Sequence, residues 1–376
     1  MRLGLQKKLF VTAVALGFAM VVPATSFAGD TIKFGVAGAQ SGDLASYGLP
    51  TVKAAELVVA QYNAKGGING KKIELLIEDD VCKPEVATNT ATKLVTDGVD
   101  VVLGHICSGA TKAALPIYKE AGVVLMSPSA TNPGLTQSGD YPNFFRTIAS
   151  DDAQAKTEVE FAIGVIGAKK IAVIHDKGDY GKGLAEFAKK FIEESGKAEV
   201  VLFEGVTPGA VDYTAIVQKI KRKGADAVIF GGYHPEASKI VSMMKKKRMD
   251  ITFISDDGVK DDTFIKVAGK NAEGVYASGP QDNSKNPLSA SAIEAHKTTY
   301  KEDPGAFYEN AYSAALALLN AIDKAGSTDM AAVVKALQTE TVDTPVGSIH
   351  FDKKGDAVGV GFAMYQVKDG QYVEVK

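Results

Sequence analysis

Residues 170–203, with the sequence KIAVIHDKGDYGKGLAEFAKKFIEESGKAEVVLF, contain a predicted strand, helix and second strand in succession. Lys170–His175 and Glu199–Phe203 are rich in apolar and β-branched residues, whereas Tyr180–Ser195 has apolar residues at helical spacing. Two strands joined by a helix of this length predict a βαβ unit, in which the strands run parallel. This segment therefore predicts an α/β fold.

The same alternation of strand and helix extends in both directions from this segment. The other predicted strands are Ile32–Ala37, Ile73–Glu78, Val101–Gly104, Val123–Met126, Ala227–Phe230 and Ile251–Ser255. The other predicted helices are Thr51–Lys65, Pro84–Asp97, Ala110–Ala121, Lys156–Ile166, Tyr213–Lys223 and Glu236–Met249. Two series of about 120 residues each, with helices covering parallel strands, predict two doubly wound α/β lobes.

The C-terminal part of the chain departs from this alternation. A helix-rich stretch, Pro287–Leu337, precedes two strand-like segments, Ser348–Phe351 and Gly361–Val367. These elements are too few for a third lobe, so we expect the chain to return to the first lobe and to end in the second. The expected boundaries are residues 29–149 and 281–358 for the N-terminal lobe, and residues 150–280 and 359–376 for the C-terminal lobe.

The composition is that of a globular protein. The 376 residues are 45% hydrophobic, and the formal net charge is −3. Because a near-neutral chain gives no electrostatic reason to attract a polyanion, we expect no nucleic-acid partner. We expect a monomer with a small molecule as its ligand.

The first 28 residues have the features of a secretory signal peptide. Arg2, Lys7 and Lys8 supply a positive start, Leu9–Val22 is apolar, and Ser26–Ala28 supplies the small residues of a cleavage site. A membrane anchor is the alternative, but a run of about 14 residues is shorter than the roughly 20 needed to span a bilayer. We expect cleavage after Ala28 and export to the periplasm.

The chain has two cysteines, Cys82 and Cys107. An even number of cysteines in an exported protein predicts a disulfide, with two free buried thiols as the alternative. A metal pair is disfavoured because neither cysteine lies in a CxxC motif or has a histidine at ligand spacing. We expect no metal site.

The motifs of common enzyme classes are missing from the sequence. Gly35–Gly38 lacks the GxGxxG spacing, and Gly70-Lys71 lacks the other residues of a P-loop. The histidines form no HExxH motif, and no GxSxG elbow surrounds Ser108, Ser127 or Ser129. The sequence therefore disfavours nucleotide binding and hydrolysis and predicts no catalytic residues and no cofactor; an enzyme, recognised by turnover of its ligand, is the alternative.

The turns that follow the predicted strands are the candidate binding segments, because open parallel sheets bind ligands beyond the carboxyl ends of their strands. Six of these turns carry hydroxylic, acidic or aromatic residues, and we expect them to surround one cleft. They are Gly38–Gly42 leading to Tyr47, His105–Gly109, Ser127–Pro133, Asp176–Tyr180, Gly231–Glu236 and Asp256–Gly258.

Several of these turns contain recognisable motifs. HICS at 105–108, SPSATNP at 127–133, HDK at 175–177, YGKG at 180–183 and GGYHPE at 231–236 resemble those of bacterial branched-chain amino-acid-binding proteins. The resemblance covers nearly the whole mature chain. These proteins are periplasmic receptors of ABC importers for leucine, isoleucine and valine.

The resemblance implies both a fold and a function. The fold is the type I periplasmic-binding fold, in which three crossover strands join two lobes and the ligand cleft lies between them. A disulfide is implied at Cys82 and Cys107. The function is to close on one amino acid and deliver it to a membrane permease, without chemistry; a sensor module of the same fold is the alternative.

The resemblance also implies which residues hold the ligand carboxylate. They are the Ser108 hydroxyl, Thr131 and backbone N–H groups around Ala130. A helix that opens at Ser108 would add unpaired N–H groups and its positive dipole end, which bind an anion without a buried arginine.

The ligand ammonium is implied to meet three groups. They are the backbone carbonyl of Ser129, the Thr131 hydroxyl and a second-lobe carboxylate, which falls on Asp257. The nearest members of the family have Glu at this position, so the side chain here is one methylene shorter. Asp257 is favoured because successive residues at a strand end point to opposite sides, and the neighbouring Asp256 is the alternative.

An aromatic pocket is implied for the ligand side chain. Its walls are Tyr47, Tyr180 and Tyr233, with Ile106 and Cys107 beneath. Apolar area removed from water contributes about 25 cal/mol per Å², so aromatic walls with few charges favour leucine, isoleucine, valine or phenylalanine.

Overall fold

The computed structural model describes Met1 and residues 31–375. The predicted signal peptide and its cleavage site therefore lie outside the described residues, with Met1 as the exception. In the described part of the chain, no helix combines the length and the apolar character needed to cross a membrane.

The first large sheet has five parallel strands. They are β1 (Ile32–Gly38), β2 (Ile73–Asp79), β3 (Val101–Leu103), β4 (Val124–Ser127) and β5 (Phe144–Arg146), connected by helices α1 (Ala45–Ala64), α2 (Pro84–Thr96), α3 (Ser108–Glu120) and α4 (Gly134–Gln137). The strand order is β2-β1-β3-β4-β5, and all neighbours pair in parallel. This order places a topological switch point between β1 and β3, where open α/β sheets bind ligands.

The second large sheet repeats this arrangement. Its parallel strands are β6 (Lys170–His175), β7 (Glu199–Gly205), β8 (Ala227–Gly231), β9 (Thr252–Ser255) and β10 (Tyr276–Pro280), with helices α5 (Asp151–Gly164), α6 (Asp179–Ser195), α7 (Thr214–Lys223), α8 (His234–Lys246) and α9 (Asp262–Ala268). The order β10-β9-β8-β6-β7 has its switch point between β6 and β8.

The remaining elements are shared between the two sheets. Helices α10 (Pro287–Tyr300), α11 (Tyr308–Ala325) and α12 (Met330–Thr339) and a small antiparallel sheet of β11 (Val342–Thr344), β12 (Gly347–Phe351) and β13 (Ala357–Val358) pack with the first sheet. Strands β14 (Phe362–Lys368) and β15 (Gln371–Glu374) then extend the second sheet, with β14 antiparallel to β10 and β15 antiparallel to β14. We call each large sheet with its packed elements the first lobe and the second lobe.

The chain passes between the lobes three times, at residues 147–150, 281–286 and 359–361. Helices cover both faces of each sheet. In the first lobe, Phe34 shares one core cluster with Leu318 of α11, and Val102 shares another with Leu115 of α3. The predicted fold of two doubly wound α/β lobes with three crossovers is confirmed.

Helix α1 begins six residues earlier than predicted, at Ala45 rather than Thr51. Gly48 and Pro50 lower the helix propensity of this stretch, which is why the sequence pattern places the start too late. Gly48 is required here because a Cβ atom would lie 1.7 Å from the carbonyl oxygen of Ala39. The early start places Tyr47 in the first turn of α1, where it reaches the cleft.

Candidate ligand-binding site

A narrow cavity lies between the lobes, at the carboxyl ends of the strands of both sheets. It is lined by Tyr47, Ile106, Cys107, Ser108, Ser129, Tyr180, Tyr233, Asp257, Gly258 and Phe307. Eight of these ten residues are among those predicted to bind the ligand. The other two predicted residues, Ala130 and Thr131, follow Ser129 and are fully buried.

Two lining residues were missed by the sequence reasoning. Gly258 adjoins the predicted Asp257, so its position after β9 was a usable signal. Phe307 precedes α11 and lies 5.9 Å from Tyr47 between ring centroids. It follows no strand, and it belongs to the helix-rich stretch where no turn of the α/β pattern draws attention to it.

The N-terminus of α3 forms one end of the cavity. The helix begins at Ser108, where an anion-binding helix start was expected and two residues before the Ala110 start predicted from the residue pattern, and Cys107 is in the N-cap position. Ser108 is buried, and its Oγ accepts a hydrogen bond from the backbone N–H of Asn132 over 3.2 Å. The N–H groups of a first helical turn have no carbonyl acceptor within their helix, so they suit an anionic ligand group.

A disulfide anchors this helix start. Cys82 and Cys107 are bonded, and their Cα atoms lie 5.5 Å apart. The predicted disulfide is confirmed. Since Cys107 lines the cavity and immediately precedes α3, the bond ties the segment between β2 and α2 to the end of the cavity formed by α3.

The loop after β4 is held rigidly beside this helix. Ser127 Oγ donates to the carbonyl oxygen of His105 over 2.5 Å and accepts from the N–H of Ala130 over 2.9 Å. Ser129 Oγ donates to the carbonyl oxygen of Ile106 over 2.8 Å. The hydroxyl of Thr131 is left with no hydrogen-bond partner in the protein although it is fully buried. A buried hydroxyl of this kind is available to a ligand.

Asp257 forms the opposite end of the cavity. Its Oδ1 accepts a hydrogen bond from the Tyr180 hydroxyl, and its Oδ2 has no partner. Burial raises the pKa of the Asp257 carboxyl to about 6, against the hydrogen bond from Tyr180 that favours its charged form. Near pH 7 this site therefore carries a negative charge suited to an ammonium group.

Asp256 has a different environment from Asp257. Its Oδ2 accepts from the backbone N–H of Gly232 over 2.8 Å, so it fastens the turn after β8 and does not line the cavity. Neither aspartate caps the next helix. Asp261 does so, because its carboxylate accepts from the N–H of Thr263 over 2.7 Å.

Aromatic rings form the remaining walls. The ring centroid of Tyr233 lies 6.0 Å from that of Tyr47 and 5.2 Å from that of Tyr180. Tyr47 is 1% exposed, and its hydroxyl lies 2.6 Å from both the carbonyl oxygen of Gly258 and Nδ1 of His234. This geometry leaves an apolar surface between the two polar ends.

Contacts between the lobes enclose the cavity. Lys112 of the first lobe pairs with the Asp179 carboxylate of the second over 2.7 Å, and Asn132 Nδ2 donates to the Asp179 carbonyl oxygen over 2.7 Å. An outer hollow of about 420 Å³ shares Cys107, Tyr180 and Tyr233 with the cavity. These contacts join the two lobes beside the cavity and its outer hollow.

Comparison with known proteins agrees with this architecture. The family model for periplasmic binding proteins matches residues 31–371. The chain belongs to the periplasmic binding protein family. A leucine-, isoleucine-, valine-, threonine- and alanine-binding protein of Pseudomonas aeruginosa is 38% identical to it over 379 residues, covering 100% of both chains.

Other periplasmic binding proteins are also similar over most of the chain. A Leu/Ile/Val-binding protein of Escherichia coli is 34% identical and covers 96% of this chain and 95% of its own. A crystal structure of a leucine-binding protein from Thermotoga maritima has a TM-score of 0.86 at 25% identity, covering 92% of this chain and 98% of its own. A branched-chain amino acid transporter substrate-binding protein from Streptococcus pneumoniae was solved in complex with isoleucine. It has a TM-score of 0.82 at 30% identity, covering 92% of this chain and 100% of its own.

Proposed function

We propose that this protein captures a free branched-chain amino acid, leucine, isoleucine or valine, between its lobes and delivers it to the permease of an ABC importer. The observation that carries the proposal is the cavity itself, which combines a helix N-terminus, an aromatic wall and a buried carboxylate. An α-amino acid with an apolar side chain has the three complementary parts. Relatives named for leucine, isoleucine and valine binding support the same ligand class.

In this proposal, the first lobe holds the ligand carboxylate. Ser108 Oγ, the free N–H groups at the start of α3 and the backbone around Ala130 and Thr131 surround that end of the cavity. The ammonium is placed at the other end, between the carbonyl oxygen of Ser129, the Thr131 hydroxyl and Asp257 Oδ2. A buried zwitterion needs both of its charges paired and hydrogen-bonded, and these groups supply the partners.

The side chain of the ligand is placed against Tyr47, Tyr180, Tyr233 and Phe307, with Ile106 and Cys107 beneath. Each Å² of apolar ligand surface buried there contributes about 25 cal/mol. Phenylalanine is the largest ligand to be tested, because these four rings would have to shift to admit a fifth aromatic ring.

The wider organisation follows from this function. We propose that residues 29–149 and 281–358 form the first lobe and that residues 150–280 and 359–376 form the second. We also propose that the chain is exported to the periplasm, with cleavage after Ala28. The ligand is then released chemically unchanged. Since the lobes supply opposite ends of the cavity, lobe closure would couple to ligand capture.

A thermal-shift panel on protein that has been unfolded and refolded to remove carried ligand tests the proposal. The panel contains the twenty amino acids, urea and short amides. A ligand at 100 times its Kd adds about 2.7 kcal/mol of stability, so leucine, isoleucine and valine should raise the Tm clearly. Shifts confined to urea or amides, or no shift with any amino acid, would contradict the assignment. Recovery of a chemically altered ligand would indicate an enzyme.

A further inference from the structure

One face of α5 carries polar side chains into the interior of the second lobe. Asp151, Gln154 and Glu158 are three and four residues apart in sequence, so they lie on the same side of the helix. Each of the three is fully buried. Since buried polar groups cost free energy unless they are paired, their partners indicate the role of this face.

The partners of this face come from both lobes. Gln154 Nε2 donates to Ser278 Oγ over 2.8 Å, and Ser278 Oγ donates to Glu158 Oε1 over 2.7 Å. At the start of the helix, the backbone N–H of Asp151 donates to the carbonyl oxygen of Thr131 over 3.0 Å. The first turn of α5 is therefore attached directly to the loop that carries the proposed ammonium ligand of the first lobe.

Several oxygen atoms near this attachment have no hydrogen-bond partner in the protein. They are both carboxylate oxygens of Asp151, Thr131 Oγ1 and Asp257 Oδ2. The residues that carry them are at most 2% exposed. An ammonium group has three N–H donors and no acceptor, which complements a set of unpartnered oxygen atoms. In the described part of the chain, no group of three or more His, Cys, Asp or Glu side chains is arranged to hold a metal ion.

Positive charge is scarce around Asp151. The cation that faces it is Arg146 of β5, which pairs with Asp356 over 2.6 Å and donates to the carbonyl oxygens of Ala130 and Asn132. The other titratable groups around Asp151 are Asp152 and Glu158 of α5, Tyr180 of α6, Tyr233 before α8, and Asp257 after β9.

Burial therefore decides which of these acids is ionised. It raises the pKa of Asp151 to about 8 and that of Glu158 to about 8, compared with about 6 for Asp257. At pH 7 Asp257 carries the charge and Asp151 holds a proton. A cation placed beside both groups would favour their ionised forms.

We propose that Asp151 is a second carboxyl group of the ammonium subsite, which positions the Thr131 hydroxyl and gives up a proton when the ligand binds. The O–H bond of Asp151 breaks, its electron pair stays on the carboxylate, and the proton passes to the buffer. The ionised carboxylate then accepts from the Thr131 hydroxyl, whose oxygen accepts from the ammonium. This inference rests on the proposed function, because it requires an amino-acid ligand.

Proton release is measured by titration calorimetry with leucine at pH 7.0 in buffers of low and high ionisation enthalpy, phosphate and Tris. The expected result is a buffer-dependent heat that corresponds to about 0.5 to 1 proton released per leucine bound. Asp257 contributes little at this pH because it is already mostly ionised. Leucine binding with the same heat in both buffers would overturn the inference and leave the proposed function intact, whereas no binding of leucine would count against both.

Two near-isosteric variants assign the proton. Asp151→Asn is expected to lower leucine affinity about tenfold and to abolish proton release. Glu158→Gln, in the same helix and equally buried, is the matched control. It is expected to retain both the leucine affinity and the proton release of the wild type. Proton release that persists in Asp151→Asn, or that disappears in Glu158→Gln, would contradict the assignment to Asp151. The wild-type proton count stands independently of whether either variant folds.

Discussion

The hydroxyl of Tyr47 in the first lobe donates a hydrogen bond to the carbonyl oxygen of Gly258 in the second lobe over 2.6 Å. His234 Nδ1 lies 2.6 Å from the same hydroxyl oxygen. Since a carbonyl oxygen only accepts hydrogen bonds, the Tyr47 hydroxyl donates its one proton to the Gly258 carbonyl oxygen. Nδ1 of His234 therefore donates to the Tyr47 hydroxyl oxygen. One phenol therefore joins the lobes and also forms a wall of the cavity.

Replacing Tyr47 with phenylalanine tests this interlobe contact. Tyr47→Phe retains the aromatic wall but leaves Gly258 and His234 without their partner in the closed arrangement, so closure becomes less favourable. We expect leucine affinity to fall about five- to tenfold in titration calorimetry, because a lost hydrogen bond of this kind is worth about 1 to 1.5 kcal/mol.

Tyr213→Phe is the matched control for that variant. Tyr213 donates to the carbonyl oxygen of Thr207 within the second lobe, over 2.9 Å. Loss of this hydrogen bond in Tyr213→Phe should leave the leucine affinity unchanged. Equal affinity for Tyr47→Phe and wild type would show that the Tyr47 contact does not contribute to closure.

Removing the Asp257 carboxylate should weaken binding by more than tenfold while the fold stays intact. Asp257→Ala leaves the ligand ammonium buried without its charge partner, which is costly in a site closed to water. Titration calorimetry measures the affinity, and circular dichroism reports the fold. Asp256→Ala is the comparison variant. A larger loss of leucine affinity in Asp256→Ala than in Asp257→Ala would show that Asp256, and not Asp257, binds the ammonium group.

Ligand-free protein should become less stable as the pH rises from 7 to 8.5. Burial raises the pKa of both Asp151 and Glu158 to about 8, whereas carboxyls in an unfolded chain titrate near about 4. The folded protein then binds more protons than the unfolded chain between these values, so the free energy of unfolding decreases with pH, by at most about 1.4 kcal/mol per unit for each group. Urea denaturation across this range measures the slope.

At lower pH, the histidines change the free energy of unfolding in the opposite direction. Burial lowers the pKa of His175, His234 and His296, so each adds stability as the pH rises toward its ordinary value of about 6.5. The interval from pH 7 to 8.5 therefore lies above the pH range in which these histidines titrate. Glu158→Gln should flatten the slope there, and stability that increases with pH in this interval would refute the prediction.

Reduction of the disulfide should destabilise the protein by roughly 3 to 4 kcal/mol, the loop-closure value for cysteines that are 25 residues apart. Leucine affinity should also fall, because Cys107 precedes the first turn of α3. Urea denaturation and calorimetry with and without dithiothreitol measure both effects. In the double variant Cys82→Ser, Cys107→Ser, dithiothreitol should change neither the stability nor the leucine affinity. A wild-type protein whose stability and affinity are unchanged by dithiothreitol would contradict the prediction.

Most elements of the fold were predictable from local patterns. The strand Lys170–His175 matches its prediction, and Pro84 opens α2 in the first helical turn as proposed. Strand β10 was missed because its sequence, YASGP, contains small residues and a proline that disfavour a strand in isolation. It is a strand because β9 and β14 supply hydrogen bonds on both sides.

The site was predictable to the extent that it lies in turns after strands. Ser108, Ser129 and Asp257 follow β3, β4 and β9, and the topology of parallel sheets brings such turns to one edge. Phe307 follows no such rule, because it precedes α11 and does not follow a strand. It lines the cavity because the chain returns to the first lobe at 281–286.

The sequence by itself determined the periodicity of strands and helices, the two-lobe α/β architecture and the polar turns at the strand ends, because these depend on local spacing and on general rules of sheet topology. Only the tertiary structure decided the protonation of the buried acids. The pKa of a carboxyl depends on how completely it is removed from water and on which charges face it. Asp151 and Glu158 lie on α5, whereas Asp257 follows β9 about 100 residues later in the sequence. These acids come together only after α5 has packed against the second sheet.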